Sequence, residues 1–177
     1  MISMKNRSIL IILIIIIAGI AVYVFRNNAT DDTSVNQPVP PAAKVMYNDR
    51  PNLALTGIDG TKLNASAITG KTVLVFFQPD CDHCQRETVQ IEQNLSAFKD
   101  YQLYFISDAA LPQIAEFAQT YKLAGNPAIH FYQTSIADIM RTIGAVQLPS
   151  VYVYSGQGKL IKTFNGETPI GWILSVL

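Results

Sequence analysis

Val73-Leu74-Val75-Phe76-Phe77 is an unbroken apolar run of strand length, and the pattern changes to that of a helix just beyond Pro79-Asp80. An apolar run without alternation suits a central strand buried on both faces. After it Cys84, Thr88, Ile91, Leu95 and Phe98 recur at spacings of three and four, which places them on one side of a helix. A strand covered on both faces and followed directly by an amphipathic helix calls for a layered α/β architecture.

The rest of the chain extends that pattern. Asn52 to Gly57 reads as a first short strand ended by an Asp59-Gly60 turn, and Leu103 to Ile106 as another strand. Ile114, Phe117, Ala118 and Tyr121 have helical spacing, with Pro112 in the first turn. Ala128 to Tyr132 is strand-like, and Ile136, Ile139, Met140 and Ile143 repeat the helical spacing up to Gly144. Val151-Tyr152-Val153-Tyr154, the turn Gly156-Gln157-Gly158 and Leu160 to Phe164 form a β-hairpin signature. Pro169 to Leu177 is a closing helix that carries the sole tryptophan, Trp172. Strands alternating with helices, then a hairpin and a helix, predict a mixed sheet covered on both faces.

The N-terminal part is built differently. Ile9 to Phe25 carries no charge and makes a helix about 25 Å long, enough for a bilayer core once flanking residues are counted. Lys5 and Arg7 precede the run, whereas Arg26 alone follows it before Asp31 and Asp32. This asymmetry places the short tail in the cytoplasm and the rest outside the membrane. A cleaved signal would have a shorter apolar region and a small-x-small site after it; Ala18-Gly19-Ile20-Ala21 lies inside the run, and no Cys follows to accept lipid. Residues 1–26 are therefore expected to be a cytoplasmic tail and a single transmembrane anchor. Residues 27–44, polar and ending in Pro38-Val39-Pro40-Pro41, read as a flexible tether, and 45–177 as the globular domain. Thirteen basic and thirteen acidic residues cancel, so no field favours nucleic acid.

The two cysteines, Cys81 and Cys84, are too few for a disulfide scaffold and too close for a bridge to remove much chain entropy. Their place at a strand-to-helix junction points to chemistry instead. At a helix start the first cysteine meets unpaired N–H groups and the positive end of the dipole, which favours its thiolate. One turn on, the second can attack a mixed disulfide and release a bound partner. Cys81 is thus the expected exposed nucleophile and Cys84 the more buried resolving thiol. Protonated His83 would stabilise the thiolate; Asp82 and Asp80 oppose it, and Asp80 also suits the helix N-cap. Glu87, three residues after Cys84, is either a partly buried carboxyl that exchanges protons with Cys84 or an exposed helix residue pairing with solvent or Arg86. Pro149, in Leu148-Pro149-Ser150, would face the cysteines at the start of the hairpin, where a cis bond exposes backbone for pairing with a partner.

From Asn52 onward these features resemble the TlpA/ResA-like group of membrane-anchored thioredoxin-fold proteins. Leu55 to Leu63 is similar to that group's opening hairpin, and Gly70 to Phe77 to its first central strand. Cys81-Asp82-His83-Cys84-Gln85-Arg86-Glu87 matches its CxxCxxE, with Glu87 at the active-site glutamate. Ala128 to Ile143 resembles its central insertion, Leu148-Pro149-Ser150 its cis-proline loop, and Gly156 to Leu160 its hairpin turn. Asp80 departs from the pattern, since relatives usually carry an aromatic residue there. The resemblance implies an α/β thioredoxin-like fold with a central mixed β-sheet flanked by helices. It also implies a thiol–disulfide oxidoreductase without a cofactor beyond its own cysteine pair, most often a reductase of exported proteins. Apocytochromes c are among the partners of such proteins, and a membrane thiol–disulfide donor feeds them electrons.

Rival chemistries remain. A disulfide-forming oxidase would use the same pair. A copper or zinc carrier would add His130 to Cys81 and Cys84, but tetrahedral zinc takes four ligands and no second pair exists. A peroxiredoxin needs Thr three residues before its reactive cysteine, where Gln78 stands; haem attachment needs His where Gln85 stands.

Overall fold

The computed structural model describes Tyr23 and residues 48–177. The expected anchor, apart from Tyr23, and the tether lie outside the described residues. No helix among the described residues is long and apolar enough to cross a membrane.

Ala54–Gly57 (β1) and Lys62–Asn64 (β2) pair antiparallel about the Asp59-Gly60 turn. Thr72–Phe76 (β3), Gln102–Ser107 (β4) and Ile129–Gln133 (β5) lie parallel, linked through helices Asp82–Gln93 (α1) and Leu111–Thr120 (α2). Ile136–Thr142 (α3) leads to the hairpin of Ser150–Tyr154 (β6) and Leu160–Asn165 (β7), and Ile170–Leu174 (α4) follows. The seven strands are ordered β2-β1-β5-β4-β3-β6-β7, with β6 antiparallel to β3 and β1 antiparallel to β5.

The lack of alternation in β3 follows from its central position. Val73 and Val75 face one core with Leu103, Phe105, Phe131, Val151 and Val153, under Cys84 and Ile91 of α1, Ile114 and Phe117 of α2 and Ile173 of α4. Leu74 and Phe76 face the other, with Leu53, Leu55, Ile68, Ile106 and Ile139 of α3. Every residue of β3 is buried. Phe77, the next residue, packs its ring within 4.5 Å of Phe117, 5.8 Å of Phe105 and 6.3 Å of Phe131 (centroid distances). Such contacts contribute roughly 0.5–1.5 kcal/mol each beyond area burial and fix the point from which the cysteine loop departs.

Two helical expectations change. The pattern from Cys84 to Phe98 is not one helix: α1 ends at Gln93, and Leu95–Phe98 is a 3₁₀ turn. Asn94 makes the break by donating its side-chain amide to the Gln90 carbonyl at 2.8 Å, which supplies a last-turn acceptor with a partner. In α3 only Ile139 is buried, whereas Ile136 and Met140 are 56% and 52% exposed. The helix is only seven residues long and buries a single residue, and Met140 lines the edge of a cavity of about 130 Å³ beside Phe76, Ile106 and Leu148. Trp172 on α4 is also mostly exposed.

Candidate active site

The site begins where β3 ends. The Cys81 N–H donates to the Gln78 carbonyl at 3.2 Å, closing a turn with Pro79 and Asp80 at its centre. Proline presets the backbone at the second position of such a turn. The turn therefore delivers Cys81, and not Asp80, to the helix start: Cys81 is the N-cap, and its sulfur accepts the Cys84 N–H at 3.4 Å. The expectation that Asp80 caps the helix is corrected. Asp80 is exposed one residue earlier, and Asp82 is exposed in the first turn. The correction strengthens the physical case for Cys81, whose sulfur now meets a helix N–H directly.

The two thiols are free and unlike: Cys81 is half-buried and Cys84 is 1% exposed. Burial pushes the Cys84 thiol far above its usual range; its hydrogen bond with Cys81 and the charges of Cys81 and Glu87 add to the effect, against a backbone contact from Gln78.

Glu87 sits on the same helical face, 1% exposed. Its Oε2 accepts the Thr168 N–H at 2.9 Å, while Oε1 is buried with no hydrogen-bond partner among the described residues. Burial raises its pKa to about 7, helped by the nearby Glu167 charge and opposed by the Thr168 hydrogen bond. Of the two readings of Glu87, the exposed one fails, because Arg86 pairs with Glu167 instead. Arg86 Nε lies 2.9 Å from Glu167 Oε1 and Nη2 lies 2.6 Å from Oε2. The same Oε2 is 2.7 Å from His83 Nδ1, so His83 belongs to this outer ion cluster.

Ser150 pairs with Phe76 at the end of β3, which places Pro149 beside the strand exit that leads to the cysteines. Pro149 is buried, the Leu148–Pro149 peptide is cis, and the Pro149 carbonyl accepts the Gly166 N–H at 2.8 Å. Leu148 packs against the core that holds Cys84. Gln78 is occupied structurally: its amide donates to Asp108, and its oxygen accepts from Ser107 Oγ at 3.3 Å.

His130 is not brought to this site. Ile129 and Phe131 of β5 face the cysteine side, so His130 faces the other, stacked on Tyr104 at 4.7 Å with Nε2 2.8 Å from Gln102 Oε1. Burial lowers its pKa. Among the described residues no group of three or more His, Cys, Asp or Glu is placed to hold a metal ion.

Sequence reasoning missed Glu167 and Thr168. Their only local signal is a short polar stretch between Gly166, at φ +78°, and Pro169. Nothing in that stretch tells which helix it will meet.

The AhpC/TSA family pattern matches residues 47–163. The chain is similar to the thiol-disulfide oxidoreductase ResA of Bacillus thuringiensis subsp. konkukian (strain 97-27), 27% identical over 123 residues that cover 67% of this chain and 69% of that protein. Among solved structures it is similar to a secreted Mycobacterium tuberculosis disulfide oxidoreductase homologous to E. coli DsbE. The TM-score is 0.59 at 17% identity, covering 71% of this chain and 96% of the other. It is also similar to StoA from Bacillus subtilis, at TM-score 0.54 and 17% identity, covering 69% and 92% of the two chains. These structural likenesses establish the thioredoxin-like fold.

Proposed function

The chain belongs to the AhpC/TSA family of thioredoxin-like proteins, a thiol–disulfide oxidoreductase in its chemistry, and from that premise we propose that it reduces disulfides of exported proteins through Cys81 and Cys84. The observation that carries this reading is Glu87, a buried carboxyl beside a buried thiol with one oxygen left without a partner among the described residues.

The steps follow from the geometry. The Cys81 thiolate attacks one sulfur of a substrate disulfide, forming a mixed disulfide and releasing the first substrate thiolate. Cys84 must then lose its proton, which burial resists. The Glu87 carboxylate, titrating near neutral pH, accepts that proton. The Cys84 sulfur attacks the Cys81 sulfur, breaks the mixed disulfide and expels the second substrate thiolate, which is protonated from solvent. Two electrons have passed to the substrate, and the Cys81–Cys84 disulfide awaits a dithiol donor. Pro149 borders the site as the edge along which an extended substrate segment would lie. Peroxidase chemistry is disfavoured, because the place that needs a hydroxyl holds Gln78, already bonded to Asp108 and Ser107.

The proposed setting is the outer side of a cytoplasmic membrane, with the N-terminus inside. The charge-free run from Ile9 to Phe25 and its basic flank support this setting. Exported cysteine proteins, apocytochromes c among them, are the proposed partners, and a membrane dithiol protein the proposed donor.

The reduction potential of the Cys81–Cys84 pair tests the reading. A value near or below about −270 mV, that of thioredoxin, is expected for a reductase. A value near about −120 mV would make the protein a disulfide donor instead. A pair that cannot be cycled would end the exchange mechanism.

A further inference from the structure

The segment between β7 and α4 is stitched along α1 at successive turns. Glu167 contacts His83 and Arg86, the Thr168 N–H donates to Glu87, and the Ile170 N–H donates to Gln90 Oε1 at 3.0 Å. At its start the Gly166 N–H holds the Pro149 carbonyl. One short loop thereby touches the cis-proline, the buried carboxyl and two residues close to Cys84.

We propose that Glu167 is a positioning residue for the exchange reaction: it pins Arg86, with His83 against the same carboxylate, on the outer face of α1, withholding the guanidinium charge from the Cys81 sulfur, while the adjoining Thr168 seats Glu87. The inference rests on the exchange chemistry proposed above.

The fork geometry favours this role over a chance surface contact. The guanidinium meets both oxygens of Glu167, and the imidazole shares one of them. Arg86 and His83 hold the Glu167 carboxyl down to about 2, so it stays ionised at any working pH. The other charges around Cys81 are mostly acidic: Asp80 and Asp82 on its own segment and Glu116 of α2, which lines a cleft with Asp80. Asp108 is tied to Gln78, and Glu87 lies on the buried side. Arg86, whose charge interacts with that of Cys81, is thus a cation within reach of the nucleophile, and Glu167 neutralises it. Loss of Glu167 would free the Arg86 charge and make the field less negative at a helix N-terminus, where a thiolate gains most.

Alkylation of Cys81 by iodoacetamide at pH 7 and low ionic strength, with Cys84 replaced by Ala throughout, reads this directly. Glu167→Gln should react about two- to fivefold faster than its parent, the range expected of an exposed ion pair. The gain should disappear in the Glu167→Gln/Arg86→Gln double variant and in 1 M salt, where the Debye length is about 3 Å. An unchanged rate in Glu167→Gln, or a gain that persists in the double variant or in high salt, overturns the proposal. Alkylation needs no partner, so a potential that refuted the reductase reading would leave this outcome standing on its own.

Discussion

Arg50 and Glu87 lie at opposite ends of β3, and both bury a charged side chain. At the start of the strand the Arg50 guanidinium donates to the Gly70 carbonyl, to Thr72 Oγ1 at 3.2 Å, to the Ser155 carbonyl at 3.3 Å and to Asn48 Oδ1 at 3.4 Å. It also lies 5.7 Å from the Tyr154 ring centroid. At the other end Glu87 has one hydrogen bond among the described residues. Burial lowers the Arg50 pKa, yet a guanidinium keeps its charge in proteins, so that end of the sheet has one state. Burial raises Glu87 to about 7, so the cysteine end has two states in the physiological range. The difference between structural and chemical burial is therefore the number of partners and whether the charge is optional. Burial by itself does not separate them.

The comparison can be broken most easily from the Arg50 side. Arg50→Met should destabilise the fold by about 2–4 kcal/mol, since it removes the guanidinium that ties the Gly70 carbonyl, Thr72 Oγ1 and the Ser155 carbonyl together and leaves the two carbonyls only the Thr72 hydroxyl and the Gly158 N–H. Exchange activity per folded molecule should stay unchanged. Denaturant titration with an activity assay checks both, and lost activity in the folded fraction would erase the distinction between the two ends.

Glu87→Gln should do the reverse. Turnover in disulfide reduction should fall about a hundredfold, the low end of general-base effects, while the fold persists. Its rate should lose the rise centred near pH 7 that the carboxyl imposes. A stopped-flow pH profile identical to that of the parent would remove Glu87 from the proton path.

Stability against pH sharpens the contrast further. The raised Glu87 pKa means that the neutral carboxyl's contribution is fully present below its ordinary value of 4.5 and is lost as pH rises through about 7. Glu87→Gln should therefore match the parent at pH 4.5 and exceed it by about 1–3 kcal/mol at pH 8, measured by denaturant midpoints. A constant difference across that range would contradict the burial argument.

The smallest effect on exchange belongs to Gly158, at φ +85°, where an added Cβ would meet Arg50 Nη1 at 2.5 Å and Asn48 Oδ1 at 2.6 Å and push them aside. Gly158→Ala should cost about 1 kcal/mol through the left-handed backbone, with the displacement of Arg50 or Asn48 added to it, and should leave exchange kinetics untouched.

Several elements were legible in the chain because their cause is local. The buried character of β3 shows in five successive apolar residues, and the α2 pattern shows in the spacing of Ile114, Phe117 and Ala118. The same rule misled where packing, and not spacing, decides. Ile136 and Met140 have core spacing but stay exposed on a short helix, and Asn94 ends α1 inside an apolar series by a side-chain hydrogen bond. Asp80 has the right chemistry for a cap, but the turn opened by Pro79 carries the chain one residue further.

Covalent order alone determined that two cysteines one turn apart would open a helix after a buried strand, because periodicity and adjacency are properties of neighbouring residues. Tertiary structure decided what those cysteines meet. Glu87 acquires its hydrogen bond from Thr168, and Arg86 acquires its counter-charge from Glu167, both more than 80 positions along the chain. Desolvation and Coulomb forces act through space, so the electrostatics of the pair existed only once the β7–α4 loop had come to rest on α1.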